Sequence, residues 1–363
     1  MPSQVHDPLW KRCLLASPLV PLFVWPWIDS EASAALVVPY LLKMVEDGGW
    51  TSTNSQATIS MSDRHLHVPA LDQAMNPLLA VFTPSLTGID PVGRLQMISF
   101  LADVSPLFVI GMLEKFRRHH HPSAVIYPVL FAIASQILGI GKLAGGHFLL
   151  EYFWAPTTKL RTAESALIPA RAALSLLAAM LLVYYPLLLA SYTAPTTEAR
   201  ITFNAAWQLF PILVVVVQAG LSRFFFTEQR SAASPPTEKQ QQPSKAPTTT
   251  TTRSADPPTT STSTWSSIRL TIITLCTLSA LTFVFVRFTR PPGVSMAQIF
   301  LPLDTGTPID SFETAVRRLL QWDHIGWVIP GYYWLLLSFR DLGLRGGVNV
   351  SWGWVLVVLV LGT

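Results

Sequence analysis

Charge is scarce in this chain. Asp, Glu, Lys and Arg make up only 13 % of its 363 residues, about half the share usual in a soluble domain. Half of the residues are hydrophobic, so a water-facing surface of ordinary polarity cannot be built from this composition. Cysteine is scarcer still. Cys13 and Cys276 are the only two, each within or at the edge of an apolar stretch, and a disulfide framework is excluded. No CxxC or HExxH occurs, which removes the usual zinc signatures. GxGxxG, the P-loop and GxSxG are missing too, and with them the simplest nucleotide-binding and serine-hydrolase readings. The net charge of +4 is spread over short loops, so no nucleic-acid partner is expected.

What the chain has is long apolar runs, 12 Trp and 29 Pro, the composition of interfacial belts and kinked membrane helices. A bilayer-crossing helix needs about 20 mostly apolar residues. On that measure the expected fold is all-α: a polytopic transmembrane bundle of about seven spans, multi-pass in a membrane, with the endoplasmic reticulum as the expected location. Lys11 and Arg12 precede CLLASPLVPLFVWPWI, which resembles a leader but has no small-residue cleavage site before Asp29, so it reads as a retained segment. The region Cys13–Met44 is interrupted by Asp29, Ser30 and Glu31 and fits one strained helix, a re-entrant hairpin, or an interfacial piece followed by a span.

Three units are expected: an N-terminal membrane region over 1–226, a linker over 227–266, and a C-terminal membrane region over 267–363. Within the first, residues 45–92 read as a polar loop folded as a cap. The linker is rich in Thr, Pro, Ser and Gln, a composition that predicts disorder. The final run, SWGWVLVVLVLGT, is shorter than a span needs and reads as truncated. Residues 123–153 exceed one perpendicular span, which predicts a tilt, a kink near Gly139, Gly141, Gly145 and Gly146, or a projection from the bilayer. Spans are also expected over 163–191 and 203–226, the second with Trp207 and Arg223 as interface anchors and Asn204, Gln208 and Gln218 as polar contacts between helices. KFRRHHH at 115–121 reads as a basic cytoplasmic loop whose histidines are a solvated flank, so no metal site is expected there.

Ionisable residues in lipid are costly, so they are functional candidates. Asp323 and His324 lie inside the aromatic run Arg317–Phe339. His147 and Glu151 are four apart, above one another on a helix face, and Asp103 lies in the expected span 93–113. Trp322, Trp327 and Tyr332 surround Asp323 in sequence, and Tyr152 follows Glu151. A carboxylic acid kept protonated in low dielectric, next to aromatic faces that stabilise positive charge, suits protonation of an epoxide or alkene.

The segments STNSQATISMSDRHLHVPALD, FTPSLTGIDPVGRLQMISFLADVSP and ETAVRRLLQWDHIGW resemble a family of multispanning proteins of filamentous fungi associated with terpenoid and meroterpenoid biosynthesis. The family includes membrane-bound terpene cyclases of the ascofuranone and indole-diterpene kinds. The resemblance implies a metal-independent cyclase of isomerase or lyase type, with no cofactor, acting on a prenylated lipophilic molecule within membrane lipid. It implies two embedded catalytic acids: the later matches Asp323, the earlier Glu151 or Asp103. His147, Tyr152, Trp322, His324, Trp327 and Tyr332 are the expected substrate contacts. The DDxxD of diphosphate-ionising terpene enzymes is absent, which accords with protonation. The alternatives are a membrane carrier and a non-catalytic scaffold for a lipophilic metabolite.

Overall fold

Proline and glycine set where the helices start, stop and bend. A computed structural model describes residues 8–51, 58–60, 65–117, 122–154, 168–224, 260–302 and 311–344. Helix α1 (Leu9–Ala16) turns at Ser17–Pro18 into α2 (Leu19–Asp47), which stops at Gly48 in the left-handed conformation. So the region containing Asp29 and Glu31 is one long helix with Pro26 and Pro39 inside it. A short antiparallel pair follows, β1 (Gly49–Thr51) with β2 (Thr58–Ser60), in the register Trp50 opposite Ile59.

The expected polar cap loop is in large part a helix. α3 (Pro69–Thr87) begins with Pro69 in its first turn, and the Asp72 carboxylate accepts the backbone N–H groups of Leu66 and Val68 at 2.7 and 3.1 Å. Pro77 and Pro84 sit inside it and hide its periodicity in the sequence. Its buried Leu79, Phe82 and Leu86 join the main core.

α4 (Pro91–Lys115) is the axis of the molecule. Asp90 caps it by accepting from Gly93 N at 3.0 Å, and Pro91 takes the first-turn position where a missing N–H costs nothing. Burial raises the Asp90 pKa against the pull of Arg317, 3.2 Å away.

The stretch expected to kink near its glycines breaks completely into α5 (Ile126–Leu138) and α6 (Ile140–Trp154). The contacts show a hairpin whose tip is Gly139. Phe131 and His147, each eight residues from Gly139, stack at 3.8 Å. Tyr127 and Glu151, each twelve residues away, both meet Lys115. At about 1.5 Å per residue the arms of 13 and 15 residues reach only about 20 Å, so neither is long enough to cross a ~30 Å core.

Next come α7 (Ala170–Ala179) and α8 (Tyr185–Thr193), joined by a π-helical turn at Met180–Tyr184. Pro186 explains that turn, because it cannot donate to the carbonyl four residues back. α9 (Thr197–Gln208) and α10 (Phe210–Phe224) are bent by 63°, just before Pro211. Trp207, expected as an interface anchor, is instead 2 % exposed and packs on Tyr184 and Phe210. Gln218 does bridge helices, donating to Ser175 Oγ at 3.0 Å. Asn204 and Gln208 bond each other within α9.

α11 (Thr260–Thr289) starts inside the expected linker, α12 (Met296–Phe300) carries a Ser295/Gln298 capping box, and α13 (Phe312–Leu344) ends the described chain. The rest of the linker and the C-terminal run lie outside the described residues.

Among the described residues three helices are long and apolar enough to cross a membrane, over Pro91–Lys115, Ala170–Thr193 and Trp265–Thr289, or four if the bent pair counts as one. The expected seven is not supported by these. The α5–α6 arms are too short, and in α2 and α13 polar, proline, glycine and aromatic residues keep the helix less apolar than a span. α4 is 78 % buried and α11 only 17 %, so α11 lies on the outside. Thr271 bonds the Ala173 carbonyl, Ser279 reaches Asp103, and Val286 packs with Leu95, so α11 runs antiparallel to α4.

α6 makes close approaches on two sides through Gly141 and Gly145, a small-xxx-small pair. A Cβ on Gly141 meets the Trp322 carbonyl at 2.5 Å, and one on Gly145 meets Phe23 Cα at 2.7 Å. Gly141→Leu is expected to cost at least about 1–3 kcal/mol through overpacking, read as a lower Tm in detergent.

Candidate active site

The helical step of about 100° per residue separates the two neighbours Asp323 and His324. On α13, His324 and Tyr332 share the face toward α4, whereas Asp323, Trp327 and Trp334 share the face toward α6. The sequence reading names Asp323 as the late acid and Glu151 or Asp103 as the early one; in the structure it is His324 that meets Asp103.

His324 Nε2 lies 2.8 Å from Asp103 Oδ2, and Ser279 Oγ donates to Asp103 Oδ1. One carboxylate thus ties three helices together: α4, α11 and α13. Asp103 stands twelve residues from either end of α4, and Ser279 is near the middle of α11. The cluster thus sits midway along α4, one of the helices long and apolar enough to cross a membrane. Side-chain exposures of 16 % for Asp103 and 10 % for His324 leave both partly accessible. Nδ1 of His324 has no hydrogen-bond partner among the described residues. Phe100 and Phe300 flank the imidazole at 5.1 and 5.7 Å between ring centres, and Phe283 meets Phe300 at 5.8 Å. Tyr332 is within electrostatic reach of Asp103.

Other irregular backbone converges on this level. Tyr184, in the π turn, donates to the Leu101 carbonyl, and Tyr185 bonds Ser105 at 2.6 Å. Such bulges recur at functional sites.

The remaining sequence candidates have other surroundings. Asp323 accepts from Gly141 N at 2.9 Å and so caps the start of α6 from a helix 182 residues away in sequence. Gly139 has φ +89°, and a Cβ there meets Asp323 Oδ1 at 2.8 Å. Gly139→Ala is expected to cost about 1–3 kcal/mol, measurable by thermal unfolding. Trp322 supplies the carbonyl that Gly141 packs against.

Glu151 pairs with Lys115 at 2.7 Å rather than with His147, whose Nδ1 bonds Tyr127 OH at 3.0 Å. Arg12 stands over the Tyr152 ring and donates to its backbone carbonyl at 2.6 Å. Trp327 packs on Phe131 and Phe148, with its buried indole N–H lacking an acceptor among the described residues. These side chains form a second cluster, between the hairpin and α13. Ser279, Phe100, Phe283 and Phe300 escaped the sequence reading, since a lone serine or phenylalanine in an apolar helix carries no signal.

Among the described residues, no three His, Cys, Asp or Glu side chains gather as a metal site. His119–His121 lie outside them.

The FAD-dependent monooxygenase anuJ of Penicillium roqueforti (strain FM164) is 24 % identical over 349 residues, covering 96 % of this chain and 38 % of the relative. The FAD-dependent monooxygenase verC1 of Penicillium polonicum is 22 % identical over 342 residues, covering 94 % and 39 %. The chain thus spans about two fifths of the length of these relatives. No solved structure matches it. A flavin does not fit what is present here: the chain has no GxGxxG, and its described strands are one three-residue pair rather than the parallel sheet such a turn requires. The model of the CtvD domain matches residues 41–363, and the chain belongs to that family.

Proposed function

We propose that this chain is an integral-membrane cyclase, resident in the endoplasmic reticulum, that opens the epoxide of a prenylated lipophilic molecule by general-acid catalysis in fungal secondary metabolism. The observation that carries the reading is the Asp103–His324–Ser279 cluster with its phenylalanine walls.

In the proposed cycle Asp103 orients and stabilises the His324 imidazolium through Nε2, so that Nδ1 delivers the proton. An imidazolium is acid enough to protonate an epoxide oxygen as its C–O bond breaks, but not an isolated alkene. This narrows the substrate to the epoxide. The prenyl double bond supplies the electron pair that fills the developing cation, and Phe100 and Phe300 stabilise the positive charge. Loss of a proton from the last cation back to Nδ1 restores the acid, and the net change is an isomerisation. Lateral entry beside the outlying α11 suits a substrate dissolved in lipid.

The relatives' name adds support. Flavin monooxygenases include enzymes that make epoxides, and we assign that chemistry in the relatives to the three fifths of their length that this chain does not cover. A separate or fused flavin enzyme then supplies the substrate.

The test is product analysis of membranes from a host expressing the full chain, fed matched farnesyl-bearing aromatics with and without the terminal epoxide. A ring-containing isomer from the epoxide alone is expected. Recovery of unchanged epoxide from membranes holding folded protein overturns the reading. One feature favours a carrier as the second reading: α5–α6 and α9–α10 are both interrupted part-way through the bundle, as in transporters with broken helices. A carrier moves the epoxide across a vesicle without changing it.

A further inference from the structure

A cleft of about 370 Å³ opens where three helix ends meet: the C-terminal end of α4, the first turn of α7 and the last turn of α10. Its polar lining is Arg171, Arg223, Ser222 and Gln218, and Phe116 and Ala219 contribute to its apolar wall. Two guanidinium groups therefore line one small space. Arg171 occupies the second position of α7, whose first turn holds no acid. A cation in the positive first turn is disfavoured unless an anion offsets it. Arg171 has no ion pair or hydrogen bond among the described residues.

We infer that this cleft binds a phosphate group, held between Arg171 and Arg223 with the Ser222 hydroxyl as a further donor. Guanidinium is suited to the task because its planar fork matches two phosphate oxygens at once. The apolar wall accommodates the chain that the phosphate carries. Basic pockets between membrane helices take anionic headgroups in this way. The lipid form of the site rests on the membrane reading above; the free-phosphate form does not.

The test uses the full chain in nanodiscs of phosphatidylcholine with and without phosphatidic acid, scored by native mass spectrometry for retained lipid. The same protein in detergent is scored by thermal shift with inorganic pyrophosphate. Retention of phosphatidic acid is expected to fall about fivefold in Arg171→Gln and again in Arg223→Gln, the factor for the roughly 1 kcal/mol that one arginine near the surface adds. Arg171→Lys keeps the charge but not the fork, so it is expected to restore only part of the retention; an unchanged Tm of Arg171→Gln in the absence of pyrophosphate separates a lost site from a misfolded protein.

A pyrophosphate-dependent rise in Tm that both Gln variants abolish, without selective lipid retention, assigns the site to a free phosphate. Equal retention of both lipids with no pyrophosphate shift sinks the proposal. Extraction of the wild-type chain from membranes by alkaline carbonate refutes the membrane reading separately, and leaves the pyrophosphate arm to decide the site.

Discussion

Asp103→Asn is expected to lower turnover of an epoxidised prenyl substrate by about 10²–10⁴-fold, the usual contribution of a positioned proton donor. Asparagine matches the carboxylate in size and can still accept from Ser279, so the α4–α11–α13 junction stays assembled. What it removes is the negative charge that faces His324 Nε2 and orients the imidazole in the proposed cycle. Substrate affinity should change little, because the epoxide tail meets the phenylalanines rather than the carboxylate. Asp323→Asn is the informative contrast. Its amide oxygen can still accept from Gly141 N, 2.9 Å away in the wild type, so turnover should stay within a few-fold and Tm should move slightly. Kinetics of the two variants in the same membrane preparation decide between them. Full loss with Asp323→Asn and none with Asp103→Asn would return the acid to the α6 side of α13.

Lys115→Met is expected to have the largest effect on stability, about 3–5 kcal/mol, because it leaves a buried carboxylate without a counter-charge. The Lys115 and Glu151 side chains are only 13 % and 11 % exposed, so water cannot take the missing partner's place. The pair also closes the mouth of the α5–α6 hairpin, since Lys115 lies over the Tyr127 ring at 5.4 Å. Glu151→Gln should cost less, because a lysine left alone can extend its ammonium group toward water. The double substitution should recover much of the loss, as expected for two residues in direct contact. Thermal unfolding of the three variants in one detergent provides the measurement. A large drop in turnover for Glu151→Gln at unchanged Tm would instead make Glu151 part of the chemistry.

How far the sequence leads is clearest at four positions. Asp103 and His324 were both visible as ionisable residues in apolar runs, because a charge in lipid is costly enough to stand out in any such run. That they form one pair was not visible, since 221 residues separate them and Glu151 and Asp323 stood out equally. The place of Asp323 in the fold was equally hidden, because its partner is the backbone N–H of Gly141, and a backbone group leaves no mark in a sequence. Ser279 is one hydroxyl in a long apolar helix, with nothing local to distinguish it.

Taken alone, the amino-acid sequence determined the helical class, the scarcity of charge and the Thr/Pro-rich interruption, and it marked residues 123–153 as longer than one perpendicular span, with four glycines where a kink could fall. Those properties follow from composition and local sterics, which act within a few residues. The hairpin at Gly139, the helical nature of 69–87 and the pairing of Asp103 with His324 were decided by tertiary structure. Each depends on which helix faces fit together, and one helical step of about 100° is enough to send adjacent residues to different partners.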